Sequence, residues 1–180
     1  HLSTLTEDGQ FDTARGTLVL TDEAVQTQLI TQILQTLRWR GYAGLDVDFE
    51  YLPGDLAGAY AQFLARLRRL LHSQGFFLWA ALAPKTSARQ TGLLYEGHDY
   101  AAVGAAVDGV LLMTYEWGYI AGPPMAVAPL PNARQALDFA VTALSPSKPL
   151  LGIPNYGYDW PLPFIQAQTR AQSISNQRAI

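Results

Sequence analysis

Asp46, Asp48 and Glu50 are the residues of this sequence best placed to do chemistry, because they alternate with Leu45, Val47 and Phe49 in one short stretch. In an extended strand successive side chains point to opposite faces, so the three carboxylates share one face and the three apolar residues share the other. Like charges at adjacent same-face positions repel, and burying each one is costly unless it is paired or protonated. Fold stability therefore gives no reason to choose this arrangement. Its structural explanations are a solvated acidic face on a half-exposed strand or an acidic cradle for a metal ion. The apolar context argues against the solvated face. Gly41-Tyr42-Ala43-Gly44 lead into the stretch, and amphipathic helices on either side point to a strand inside an α/β sheet, covered on its apolar face.

The elements that must position these carboxylates follow from hydrophobic spacing. Residues 2 to 5 read as the end of a strand, followed by a loop through Gly16. A helix is expected from Thr21-Asp22-Glu23, with Val25, Leu29, Ile30, Ile33, Leu34 and Leu37 at helical spacing and Gly41 as its stop. After the acidic strand and a Pro53-Gly54 turn, a second helix capped by Asp55 buries Leu56, Tyr60, Phe63, Leu64, Leu67 and Leu71, and ends at Gly75. Phe76 to Ala83 is a continuous apolar run closed by Pro84, which predicts a strand covered on both faces. A polar loop over 84–97 precedes a short helix over 100–107 and a third apolar strand over 109–115. A Gly/Pro-rich loop, a helix over 133–144, a strand over 149–154 and an aromatic loop complete the series.

Strands alternating with helices imply βα units and a parallel sheet. Glu50, Tyr115, Glu116, Trp117, Tyr156, Tyr158, Asp159 and Trp160 all fall at or just beyond strand C-terminal ends. Barrels and open α/β sheets place their active sites there.

Composition narrows the partners. The 180 residues are 49% hydrophobic and 15% charged, with a net charge of −3 and no Lys/Arg runs, which argues against nucleic acid or an anionic membrane as a main partner. No apolar run reaches membrane-spanning length. Cysteine is absent, so thiolate chemistry and disulfides have no basis, a usage compatible with an extracellular or cell-wall setting. No Gly-rich phosphate loop follows a strand, and no metal or other cofactor is expected. His1, His72 and His98 lie far apart; His72 and His98 read as solvated or capping residues. The chain opens at His1 in a polar segment without a signal-peptide pattern, and an N-terminal part is expected to precede it.

The stretch Gly44 to Glu50 resembles the signature of glycoside hydrolase family 18, the chitinase-like TIM barrels, whose fourth strand ends in D-x-x-D-x-D-x-E. Asp46, Asp48 and Glu50 match its last three acids, while Ala43 stands where the first would be. Met113-Thr114-Tyr115-Glu116 is similar to the family's sixth-strand M-x-Y-D, with Glu116 replacing Asp. The segments from Met113 to Pro129 and from Gly152 to Trp160 resemble the bacterial branch of spore germination and cortex-lytic N-acetylglucosaminidases, often fused to LysM modules.

The resemblance implies a retaining hydrolase of N-acetylglucosamine-containing glycan, peptidoglycan or spore cortex before chitin, in which the substrate's own 2-acetamido group is the nucleophile. Glu50, beside carboxylates that discourage its ionisation, would be the proton donor. Asp48 would orient the acetamido N–H, Tyr115 would donate to its carbonyl oxygen, and Asp46 would support Asp48 from below. Glu116, Trp117, Tyr156, Tyr158, Asp159 and Trp160 would bind sugar. The location implied is extracellular, cell-wall or spore-associated.

A complete barrel takes about 250 residues. The chain is therefore expected to be a fragment, residues 1–180 of one catalytic barrel, carrying approximately strands 4 to 7 with flanking helices and the tail of strand 3, and lacking strands 1, 2 and 8. Two alternatives come from other classes. One is a non-catalytic chitinase-like lectin, which usually loses the final Glu that is kept here as Glu50. The other is a metal-dependent phosphate enzyme using Asp46, Asp48 and Glu50 as an oxygen cage, for which basic phosphate-binding residues are missing.

Overall fold

A computed structural model describes residues 1–179 and places five strands in one parallel sheet, in the sequential order β1 to β5. They are β1 (Leu2–Ser3), β2 (Gly44–Asp48), β3 (Phe77–Leu82), β4 (Gly109–Leu112) and β5 (Pro149–Leu151). The alternation read from the sequence is realised. Val47 and Phe49 are buried toward the helical layer, against the inner stripe Tyr60, Phe63, Leu64, Leu67 and Leu71 of α3 (Ala57–His72). Each such side chain contributes about 1.5–3 kcal/mol through burial. The other face carries Asp46, which lies beside Trp79 in register.

That second face corrects the expectation for β3. Phe77 and Trp79 are 38% and 36% exposed, so this face of the strand is open over its first half, while Ala81 further along the same face is buried. Each has a glycine as one neighbour in register. Gly44 lies beside Phe77 and Gly109 beside Trp79, and a Cβ on Gly109 would come within 2.9 Å of the Trp79 indole nitrogen. The two rings lie over bare backbone.

Before β2, the loop read through Gly16 holds only to Asp12; from there a helix begins, α1 (Thr13–Thr21), capped by the Asp12 carboxylate accepting from the Arg15 N–H at 3.0 Å. Gly16, taken as a breaker, sits inside this helix because a Cβ there would meet the Leu52 side chain at 2.9 Å. Helix α2 (Glu23–Arg40) begins and ends as its residues predict: Asp22 accepts from the Ala24 and Val25 N–H groups, and Gly41 takes the left-handed conformation at φ 68.

Asp55 is not a side-chain cap; it lies in a 3-10 turn, Gly54–Leu56, that leads into α3. The polar loop after β3 contains a short helix, α4 (Leu93–Glu96), before α5 (Tyr100–Ala106). Strands β4 and β5 are shorter than read, and α6 (Leu130–Ala143) opens on a Pro-containing first turn. The aromatic loop is also a strand. β6 (Tyr156–Asp159) pairs antiparallel with β7 (Gln172–Ser175).

Candidate active site

The parallel register brings the acidic strand end and the end of β4 to the same rim, on either side of β3. Between them lie the small, buried side chains of Ala81 on β3 and Ala83 just beyond its end. Glu50 and Tyr115 line one hollow with Ala83, Pro84, Leu94, Met113 and Glu116.

Asp48 is 8% exposed, while Asp46 and Glu50 are half-buried. Burial, followed by the charge of Asp46, pushes Asp48 up to about 6. Burial, followed by the charge of Asp48, pushes Glu50 up to about 7. Asp46 is raised by burial as well. Desolvation is thus the larger cause at each carboxyl, with like charge second at Asp48 and Glu50. Tyr115 is raised first by burial and then by Asp48 and Glu50, as expected of a phenol facing the acidic strand end.

His1, read as remote, is here bound to the acids: its Nδ1 is 2.9 Å from Asp46 Oδ2 and its Nε2 is 3.4 Å from Asp48 Oδ2. The register of β1 on β2 makes this contact, pairing Ser3 with Asp48 across the 45 residues that separate them. The Oδ1 atoms of Asp46 and Asp48 are buried without a hydrogen-bond partner among the described residues.

A second group lies beside the first. The Glu116 carboxylate accepts from the Tyr158 hydroxyl at 2.8 and 3.0 Å and from the Tyr156 hydroxyl. Both phenols come from β6, and Tyr158 meets Trp160 edge-on at 5.8 Å. Trp160 donates its indole N–H to the Gly122 carbonyl at 2.8 Å. Burial, followed by the Glu116 carboxylate, pushes Tyr158 up to about 12 and raises Tyr156 too. Trp117 is half-buried and Asp159 exposed, and among the described residues neither side chain hydrogen-bonds to these groups.

Both clusters adjoin unusual backbone. Tyr51, directly after Glu50, has φ 54, and Glu116 has φ 67, left-handed values that cost a non-glycine residue about 1 kcal/mol or more.

The remaining histidines divide. His72 is exposed, as read, and pairs with Asp108 at 2.8 Å, which also accepts from the Leu78 N–H at the start of β3. His98 contradicts its reading: it is 1% exposed, deep in the fold. Its Nε2 donates to the Phe49 carbonyl at 2.9 Å and its Nδ1 accepts from the Ala83 N–H at 3.1 Å. The sequence marks it only as a His between a glycine and an aspartate, and a contact across 49 residues leaves no local signal.

Comparison with known proteins agrees with this geometry. The profile of the glycosyl hydrolases family 18 matches residues 9–176. A cortical fragment-lytic enzyme of Bacillus subtilis is 44% identical over 174 residues, covering 97% of this chain and 40% of that protein. The crystal structure of the Bacillus cereus spore cortex-lytic enzyme SleL superposes with a TM-score of 0.93 at 37% identity, covering 98% of this chain and 40% of that one. A chitinase from Chromobacterium violaceum superposes at 0.87 with 26% identity, over 98% of this chain and 54% of the other. The chain spans about 40% of the length of the two spore proteins. The profile match over residues 9–176 and the 44% identity to the Bacillus subtilis protein place this chain in glycosyl hydrolase family 18.

Proposed function

We propose that this chain carries the catalytic acids of a retaining, substrate-assisted glycosidase acting on N-acetylglucosamine-containing glycan, with Glu50 as general acid and base. One observation carries the reading: Glu50 sits half-buried at a strand end next to another carboxyl, where its proton is held to about 7, and shares a hollow with Tyr115. A carboxylic acid that keeps its proton near neutrality can give it to a glycosidic oxygen. As that C–O bond breaks, the acetamido carbonyl oxygen of the same sugar bonds to the anomeric carbon and forms a cyclic oxazolinium ion. Asp48 accepts the acetamido N–H and offsets the cation's charge, and the Tyr115 hydroxyl donates to the acetamido oxygen. Asp46 and His1 hold Asp48 in place. Glu50, now a carboxylate, takes the proton of the water that opens the ring, and the configuration is retained.

The names of the relatives support spore cortex peptidoglycan as the substrate and a spore-associated location. Glu116, Tyr156, Tyr158 and Trp160 form the sugar-binding wall in this proposal, with Trp117 and Asp159 at its margin. The five-stranded sheet is read as strands 3 to 7 of a (β/α)8 barrel, whose inner face would seat Phe77 and Trp79 against the remaining strands. A monomeric, cooperatively melting 19.7 kDa species made from these 180 residues alone would overturn that barrel reading.

The test of the chemistry is Glu50→Gln in the full-length natural protein, assayed on cortex peptidoglycan and a chromogenic N-acetylglucosaminide. Turnover is expected to fall by roughly 10²–10⁴-fold with folding kept. Unchanged turnover would remove Glu50 from the mechanism, and binding of glycan without cleavage by the unmodified protein would favour a lectin.

A further inference from the structure

We propose that His98 is a positioning residue for Glu50: its imidazole holds the Phe49–Glu50 peptide so that the Glu50 carboxyl turns into the hollow shared with Tyr115. The inference rests on the reading of Glu50 as proton donor.

The ladder between β2 and β3 pairs Val47 with Ala80, and the named strands end at Asp48 and Leu82. Just beyond these ends, the Phe49 carbonyl and the Ala83 N–H both bond to His98, so the imidazole stands between them as a rung wider than a direct hydrogen bond. The spacing of the two strand tips is set by a ring, at the place where Ala83 and Glu50 line the hollow.

The bonds also fix the ring's chemical form. A carbonyl only accepts and an N–H only donates, so the proton is on Nε2 and Nδ1 is bare. Burial, assisted by the charge of Lys85 and opposed by the Phe49 bond, holds the ring's pKa down to about 4, and it stays neutral around pH 7. The titratable groups packed on it are Tyr60 of α3, at 6.0 Å between ring centres, Lys85 and Tyr100. The Lys85 ammonium donates to the His98 carbonyl at 3.1 Å and to the Tyr95 carbonyl at 3.3 Å. The Tyr100 hydroxyl accepts from the Lys85 N–H at 3.0 Å and donates to the Ala83 carbonyl. These bonds hold the His98 loop against the end of β3.

On the β2 side, Phe49 is 1% exposed, with its ring stacked on Tyr60 and Phe63 at 5.8 and 5.9 Å. Its side chain and its carbonyl are therefore both tied. Glu50 lies between this fixed residue and the left-handed Tyr51, which leaves its own side-chain torsions as its main freedom. The titratable groups around Glu50 are Asp48 from the end of β2, Tyr51, and Tyr115 and Glu116, which line the same hollow from beyond the end of β4.

The test uses His98→Asn, His98→Gln, Tyr100→Phe and Glu50→Gln in the full-length natural protein, each with a thermal melt and a pH–rate profile. Asn keeps an acceptor for Ala83 and loses the donor to Phe49; Gln keeps that donor. H98N is expected to lower kcat by about 10-fold or more with KM within about twofold, and H98Q to lower it by about threefold at most. Y100F, which cuts only the β3 side, is expected to lower the melting temperature with kcat within about twofold. In H98N the basic limb of kcat/KM, set by Glu50, is expected to move toward acid by about half a pH unit or more as the carboxyl relaxes into water.

Equal kcat losses in H98N and H98Q, or losses that track the melting temperature through Y100F, would overturn the proposal. Should neither histidine variant fold, imidazole ¹⁵N shifts of the unmodified protein decide: a neutral Nε2–H ring at pH 6–7 supports the assignment, and an Nδ1–H or charged ring overturns it. If E50Q is dead and H98N keeps full kcat, His98 alone is misassigned; if E50Q is fully active, the reading of Glu50 fails and this one with it.

Discussion

Glu50 and Glu116 stand at the ends of two strands of the same sheet, both lining one hollow, and their surroundings could hardly differ more. Glu116 accepts from two phenols of β6, which fix its carboxylate as an acceptor. Glu50 receives no hydrogen bond among the described residues and is raised to about 7 by burial and by Asp48. Burial beside a like charge stabilises the neutral form of a carboxyl, and this is the setting of Glu50. In the proposed mechanism Glu50 carries the proton and Glu116 binds sugar, although the residue type and the rim are shared.

The contrast can be broken most directly by removing each carboxylate in turn. E50Q is expected to cost roughly 10²–10⁴-fold in kcat. E116A is expected to raise KM a few-fold and leave kcat within about threefold, since it removes binding shared by ground and transition states. Equal effects on kcat would erase the distinction.

Between these extremes lies Asp48→Asn. The unmodified protein should show a bell-shaped kcat/KM, rising as the pair loses its first proton near about 6 and falling as it loses the second near about 7. D48N is expected to lower kcat by about 10²-fold, to abolish the acid limb and to move the basic limb toward acid, because a neighbouring negative charge has gone. An acid limb that persists in D48N would assign it to another group.

The smallest expected effect is on stability. The folded state raises Glu50 from 4.5 to about 7, so it binds this proton more tightly than the unfolded chain does. That contribution is fully present below pH 4.5 and is lost as pH rises through about 7. E50Q should therefore melt higher than the unmodified protein at pH 8, by on the order of 1 kcal/mol after discounting for solvent access, and the gap should close at pH 4. A gap of the same size at both pH values would mean that the carboxyl is not held in its neutral form.

Much of the rim was legible because strand alternation is a strict period of two, and it put Asp46, Asp48 and Glu50 on one face before any coordinates were known. Tyr115 and Glu116 were readable as lying near a strand end from the apolar run that precedes them, although the strand stops at Leu112. Gly16 misled because a glycine that makes room for Leu52 looks the same in sequence as one that ends a helix. The β6–β7 hairpin was hidden by a 12-residue connection without a turn signature between Asp159 and Gln172. The bonds of His98 to Phe49 and of His1 to Asp46 span 49 and 45 residues and exist only once the strands are in register.

The left-handed backbone at Tyr51 and Glu116 also bears on how such a site can be remodelled by mutation. A β-branched residue at either position would meet a steric penalty before its side chain reached any sugar, and glycine would enter at the expense of the side chain and of backbone order. Unbranched side chains that differ in length and head group are the substitutions these positions tolerate best. A change in the shape of the cleft is more accessible at Leu94, which lines the hollow from a short helix with ordinary backbone. A library aimed at new glycan preference should therefore leave positions 51 and 116 alone and randomise position 94.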